Sequence, residues 1–481
     1  MANPAADAEA AGGVGRGAVA APTAGAPADR APAGNGSPAS QRAAAGRAAR
    51  LDAPRGAHAA WFPSPDREDP VAMVLRQETG RDPALLPLRH GRMAASPFAF
   101  FRGAAAIMAA DLVGTPTSGI PVQLSGDAHL LNFGAYAAPD RRLVFDLDDF
   151  DETHRGPWEW DVKRLAASLV IVGRERRLTA QSARSLAAVA MAGYRAKIRE
   201  LAAMTDLDTW YTRIDVAQLV RSVPNRSARA EVRGILAVAS TRDNVHSFAR
   251  LTAQVDGGRQ FVDRPPTLER LPDGAVRNRV TAILGRYPAS LAEDQRELLS
   301  RYRLVDVGRK VVGVGSVGLA AYVALYLGRD DDDPLVIQVK EARPSVLAEY
   351  LPGLAIKDQG QRIVAGQRLM QAASDMFLGW ALGPRGASYY VRQLADMKWS
   401  LNALSVPPKG LALFAHLCGQ ALARAHARSG DRIAIAAYLG AGDQFDRAVA
   451  AFAEVYADRN ALDHHAFQAA IASGRLRASP G

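Results

Sequence analysis

From residue 58 to about residue 300 the apolar positions recur mainly at helical spacing. Ala187, Met191, Tyr194 and Ile198 share one stripe. Phe98, Phe101, Ala105 and Met108 follow Ser96-Pro97, a helix-opening pair in which Ser96 can cap. Residues 160–172 read as a buried helix, with Asp161 favourable in its first turn. Ser290 and Glu293 have capping-box spacing ahead of Leu298 and Leu299. Two short strand-like runs interrupt this helical territory, Pro121-Val122-Gln123-Leu124 and Leu143-Val144-Phe145. The texture changes at Tyr302. Arg303 to Val307 and the run from Val311 read as one bent strand, followed by strands over 319–327, 335–339 and 389–394 and one helix over 359–374. Asp330-Asp331-Asp332-Asp333-Pro334 is a natural turn, and beyond Pro408 the helical period returns. The pattern predicts an α+β chain in four parts: a tail over 1–57, a large helical unit over 58–300, a small antiparallel-sheet unit over 301–398, and helices over 399–481 that complete the large unit.

Residues 1–57 are Ala, Gly, Pro, Ser and Arg with almost no large apolar side chain, so the tail is expected to stay disordered. It lacks the basic start and apolar core of a secretory signal. Residues 311–328 carry no charge, but four glycines and strand-forming valines and tyrosines favour a hairpin over a membrane span. The single cysteine, Cys418, rules out an intrachain disulfide or a cysteine-built zinc site. A cytoplasmic protein away from membranes is expected. The net charge of +10 comes from scattered arginines, with only seven lysines and no compact basic run, which argues against nucleic acid as a partner.

Three stretches carry candidate chemistry. The first is the turn Ser125-Gly126-Asp127-Ala128-His129-Leu130-Leu131-Asn132, where Asp127 and Asn132 can offer a base and an amide oxygen to one point. His129 is assigned the role of a structural hydrogen-bond donor. The second is Asp146-Leu147-Asp148-Asp149-Phe150-Asp151-Glu152, in which five of seven residues are acids behind an apolar strand. Carboxylates so crowded repel one another, and a cation among them relieves this; the plainer reading is a solvated acidic edge. Strand alternation puts Asp146 and Asp148 on one face and Asp149 on the other. The third is Gly313-Val314-Gly315-Ser316-Val317-Gly318, a GxGxxG spacing whose amides can close on phosphate. Alone it is a common glycine turn. Lys340, ending an apolar strand, must find an anion, lose its charge or snorkel to water.

Ser96-Pro97-Phe98-Ala99-Phe100-Phe101-Arg102-Gly103, Gly126-Asp127-Ala128-His129, Gly156-Pro157-Trp158-Glu159-Trp160-Asp161 and Gly366-Gln367-Arg368-Leu369-Met370-Gln371 resemble the bacterial domain-of-unknown-function family numbered 2252. More distantly, Gly126-Asp127-x-His129-x-x-Asn132 with Phe145-Asp146, Gly156-Pro157 and Asp161 is similar to the catalytic and metal loops of aminoglycoside and choline kinases. That likeness implies a bilobal protein-kinase-like fold binding ATP and Mg²⁺. Asp127 would orient or deprotonate an acceptor hydroxyl. Asn132 and Asp146, or Asp148 or Asp149 in its place, would hold the metal. Gly313, Gly315, Ser316 and Gly318 would cover the phosphates, and Lys340 would contact them. The order of these parts is the reverse of a kinase's, which implies a circular permutation. The lysine's usual glutamate partner has only Glu341 and Glu349 as candidates before Tyr389. A nucleotide-binding module without turnover and a nicotinamide-dependent oxidoreductase are the alternatives.

Overall fold

The helix Trp158–Glu175 is buried from Trp158 through Gly173, and the rest of the helical core is wrapped around it. The computed structural model describes residues 37–222, 248, 250–255, 258–311, 313–353, 356–394, 399–400 and 406–479. Helices Ala180–Ala202, Pro408–Ser429 and Gln444–Ala472 pack on Trp158–Glu175. The stripe of Ala187, Met191, Tyr194 and Ile198 is wholly buried, as its spacing predicts. Where Pro408–Ser429 crosses Ala180–Ala202, a Cβ on Gly419 would collide with the Ala190 carbonyl, and one on Gly193 with the His416 carbonyl. Glycine is what lets these backbones touch.

The expected tail ends sooner than its composition suggests. Residues 1–36 lie outside the described residues, but Ala39–Asp52 forms a helix against Arg432–Leu439. Alanine is the best helix former, and Gly46 presses on Ala434 where any side chain would clash. Arginine supplies the remaining hold: Arg42 pairs with Asp431 at 2.8 Å. Arg50 and Arg55 donate to the last carbonyls of the partner helix, at Ala437, Tyr438 and Leu439. A segment poor in large apolar groups is thus docked by close backbone approach and charge.

Six antiparallel strands form the main sheet, in the spatial order Gly379–Leu382, Ser388–Gln393, Pro334–Ala342, Ala321–Leu327, Arg303–Lys310 and Leu268–Arg270. Ala321–Leu327 is buried at every position because both faces are covered. Tyr322, Ala324 and Tyr326 meet Val280, Ile283 and Tyr287, while Val323, Leu325 and Leu327 meet Phe248, Leu251 and Phe261. The uncharged run at 311–328 is therefore a turn and an interior strand. Among the described residues no helix is long and apolar enough to cross a membrane.

Several expected boundaries shift. The sheet starts at Leu268, and helices Ala275–Arg286 and Glu293–Ser300 belong with it, so residue 300 is not where the sheet-bearing part begins. Ser290 is no helix cap: its hydroxyl donates to Tyr287 O and accepts from Trp380 N at 2.9 Å, and Ala292 takes the cap position. Ser96 does cap, accepting from Ala99 N at 3.1 Å, but its helix stops at Gly103 and a separate one runs over Ala105–Leu112.

Two small pairings set up the site. Pro121–Leu124 pairs with His154–Pro157, and Phe133–Ala137 pairs with Leu143–Leu147. The turn at 125–132 and the acidic run at 148–153 each link one pair to the other, so the two loops lie side by side. Gly419→Leu is expected to cost about 2–3 kcal/mol or more through overpacking at the helix crossing, read as a lowered midpoint in chemical unfolding.

Candidate functional site

The turn after Leu124 has no ladder of its own, and one face of Trp158–Glu175 satisfies it. Asp161 accepts from Ser125 N at 2.7 Å and Gly126 N at 3.0 Å. One turn on, Arg164 Nε donates to Asp127 Oδ1 at 2.6 Å, and a further turn on Ser168 Oγ accepts from Leu130 N at 3.0 Å. Positions 161, 164 and 168 share a face at helical spacing. Asp161 is itself backed by His426 at 3.3 Å, whose other ring nitrogen meets Tyr194 OH at 2.9 Å. Gly126 has φ +82°, and a Cβ there would strike the Glu152 carbonyl, so the turn sits directly on the acidic run. Asn132 Nδ2 donates to the Asp127 carbonyl at 2.6 Å, which frees its amide oxygen to point elsewhere. His129, expected to donate, instead accepts from Leu131 N at 3.2 Å through Nδ1.

The acidic run divides into different environments. Asp146, expected as a metal ligand, is fully buried and committed elsewhere. Arg424 Nη2 bonds both its oxygens, at 2.6 and 2.7 Å, and the Leu147 and Ala372 amides add 2.9 Å bonds. It does not line the cleft. The strand ends at Leu147, so alternation stops governing the acids that follow it. Asp148, Asp149, Asp151 and Glu152 do face the cleft. Burial, then the neighbouring Asp151, pushes the Asp149 carboxyl up. Asp151 goes the other way: burial opposes its charge, but Lys340 and Tyr390 outweigh it and hold it down.

Lys340 is where sequence reasoning missed a residue. Its Nζ lies 2.7 Å from Asp151 Oδ2 and 5.0 Å from the centre of the Tyr390 ring, whose hydroxyl donates to Asp151 Oδ1 at 2.7 Å. Burial disfavours the ammonium, yet Asp151 more than restores it and the pKa is raised. Neither expected glutamate pairs with it. Glu349 bonds Arg76 at 2.6 Å, and Glu341 holds Arg343 Nε and the Ala320 amide. The available signal was Asp151, left without a role in the acidic run. Arg362 secures the junction by donating to the Asp151, Thr153 and Arg343 carbonyls.

Asp127, Asn132, Asp148 and Asp149 from the helical part line one cleft of about 790 Å³ together with Gly313, Gly315, Ser316 and Lys340 from the sheet-bearing part. That volume is in the ordinary range of small-molecule sites. A Cβ at Gly313 or Gly315 would meet only open space. Gly318 does not reach the cleft; with φ +86° it turns the chain onto Arg81, and its carbonyl accepts from Asp82 N at 2.8 Å. Among the described residues no three His, Cys, Asp or Glu side chains are grouped to hold a metal ion. Asn132, Asp148 and Asp149 lie on the same cleft wall, an amide and carboxylates of the oxygen-donor type that hard cations take. Burial pushes the Asp127 carboxyl up to about 7, against the pull of Arg164.

Two predictions follow from these environments. Asp146→Ala strands the buried Arg424 guanidinium and should lower stability by about 3–5 kcal/mol, whereas Asp149→Asn, which removes a crowded charge, should leave the unfolding midpoint unchanged or higher. For Asp127 the folded pKa is raised from 3.8 to about 7. Its contribution is therefore fully present below the unfolded value and lost as pH rises through the folded one. The stability of the protein relative to its Asp127→Asn variant should fall across that window and be flat above it, measured by urea unfolding at a series of pH values.

No curated protein and no solved structure matches the chain. A family model matches residues 81–470, which span most of the sequence and include every residue of the cleft named so far except Arg76. The chain belongs to the bacterial family described as "Uncharacterized protein conserved in bacteria (DUF2252)".

Proposed function

We propose that this chain is an ATP- and Mg²⁺-dependent phosphotransferase, a circularly permuted, bilobal protein-kinase-like fold acting on a hydroxyl acceptor. The observation that carries the reading is the shared cleft: a glycine-rich turn and a strand lysine on one side, an Asp-x₄-Asn turn and an acidic run on the other. Lys340 and the amides at Gly313–Ser316 would hold phosphates. Asn132 with Asp149 or Asp148 would hold Mg²⁺, which supplies neutralisation of phosphate charge when bound. Asp127, fixed by Arg164 and titrating near neutrality, is suited to orient and accept a hydroxyl proton. Asp151 takes the place of the helix glutamate as counter-ion of the lysine.

A nucleotide-binding module without turnover is the second reading, favoured by the guanidinium already resting on Asp127 Oδ1. A nicotinamide-dependent oxidoreductase is disfavoured, because a dinucleotide fold needs a helix directly after the glycine turn and here the strand Ala321–Leu327 follows. Thermal-shift titration with nucleotides, with and without Mg²⁺, tests the core of the proposal. A cognate ligand at a hundredfold its Kd should add about 2.7 kcal/mol. Absence of any nucleotide shift would sink it, and a shift with NADH but not ATP would favour the oxidoreductase. Asp127→Asn should keep Mg·ATP affinity while cutting γ-phosphate transfer about 10²–10⁴-fold. Binding without transfer in the unaltered protein selects the second reading.

A further inference from the structure

Several buried arginines among the described residues close on a carboxylate: Arg42 on Asp431, Arg164 on Asp127, Arg424 on Asp146. Of the arginines lining the cleft, Arg89 and Arg102 each keep a buried Nε that meets no hydrogen-bond partner among the described residues. Arg102, in the last turn of the helix Pro97–Gly103, lines the cleft and forms no ion pair among the described residues; its Nε is buried with no hydrogen-bond partner. Arg89 is 1% exposed and also lines the cleft. It donates only to Met93 Sδ and the Gly103 carbonyl, and its Nε is likewise unmet. Both guanidiniums are lowered by burial. Burial outweighs the nearby acids for both, and the unmet Nε donors in the cleft call for a partner from outside the chain.

Their position identifies the partner's neighbourhood. Arg164 holds Asp127 with its Nε and the Phe101 carbonyl with its Nη2 at 2.9 Å, while its guanidinium lies 4.2 Å from the centre of the Phe101 ring. One clamp thus sets both the candidate base and the residue next to Arg102. Arg102 feels the charges of Asp127 and Asp149, whereas Lys340 answers to Asp151, Tyr390 and Asp149. Arg102 therefore sits by the base, away from the counter-ion of the lysine, and Arg89 reaches the Gly103 carbonyl beside it. Arginine's planar fork matches phosphate and carboxylate.

We propose, resting on the phosphotransferase reading above, that the acceptor is a small molecule bearing a phosphate or carboxylate besides its hydroxyl, and that Arg102 and Arg89 receive that anion beside Asp127. Phosphoryl transfer then forms a bond from the acceptor oxygen to the γ-phosphorus and breaks the bond to the β,γ-bridging oxygen. The hydroxyl proton passes to Asp127, and ADP leaves.

Calorimetry with inorganic phosphate as the probe tests this on the full chain loaded with Mg²⁺ and a non-hydrolysable ATP analogue. Saturable phosphate binding is expected, weakened about tenfold or more in Arg102→Met, with nucleotide affinity unchanged. Because the replaced charge is uncompensated, the ligand-free Tm of Arg102→Met should hold or rise; a purely structural arginine would lower it. Arg102→Lys, which keeps the charge without the fork, should bind phosphate with intermediate strength and serves if the methionine variant does not fold. Nucleotide binding without phosphate binding overturns this inference alone. So does equal phosphate binding by Arg102→Met (an adventitious ion only), or an equal loss of nucleotide affinity, which would move Arg102 to the nucleotide. If no nucleotide binds, the phosphotransferase reading fails, and the acceptor assignment falls with it even where phosphate binding still depends on Arg102.

Discussion

A turn that must hold a carboxylate in a cleft cannot draw its rigidity from a β-ladder, since its backbone leaves the strand to reach the ligand. In this chain the rigidity comes from the buried helix Trp158–Glu175, through Asp161, Arg164 and Ser168 on one face. Asp161 is the keystone. Buried and accepting two backbone N–H groups, it fixes where the turn begins. His426 and Tyr194 from two other helices bear on it. The position of Asp127 is thus inherited from helix packing, and the glycine contacts at the crossing of Ala180–Ala202 with Pro408–Ser429 act on the site from a distance.

The acidic run shows how one short peptide takes several parts. Asp146 is spent on Arg424 inside the core, Asp151 on Lys340 between sheet and helices, and Glu152 on the Val346 amide. Crowding is relieved by giving neighbours different counter-charges, since like carboxylates left together raise each other's pKa. Asp149 is raised, by burial and by its acidic neighbours. A bound cation would relieve that crowding.

What the sequence could reveal was whatever local periodicity governs. The apolar stripe at Ala187–Ile198, the interior strands around Lys340, the Ser96 cap and the tight turn at Asp127 all follow from spacings of a few residues. The roles of the acids did not, because they are decided by partners 278 residues away for Asp146 and 189 for Asp151. Alternation misled at Asp148 since the strand had already stopped. The Ala39–Asp52 helix was missed for another reason: its docking uses a glycine contact and arginine–carbonyl bonds, which no measure of hydrophobicity registers. The cleft arginines were hidden in an arginine-rich composition, where only a list of who pairs with whom separates them from the rest.

The Lys340–Asp151 pair has a consequence for any anion entering the cleft. In the free protein Asp151 already occupies Lys340, with Tyr390 bonded to its other oxygen and Arg362 holding its carbonyl. An incoming phosphate must share the ammonium with Asp151 or displace it, and displacement would leave Asp151 beside Asp149 with only Tyr390 and Arg392 to steady it. A cation arriving with the phosphate removes that difficulty, because Asp149 and Asp151 then face positive charge from a second side. The same electrostatics links the sheet to the helical core, since Lys340 belongs to the strand Pro334–Ala342 and Asp151 to the loop after Leu143–Leu147. Anion and cation should therefore bind together far better than either alone, and their binding should stiffen the seam between the two parts of the chain.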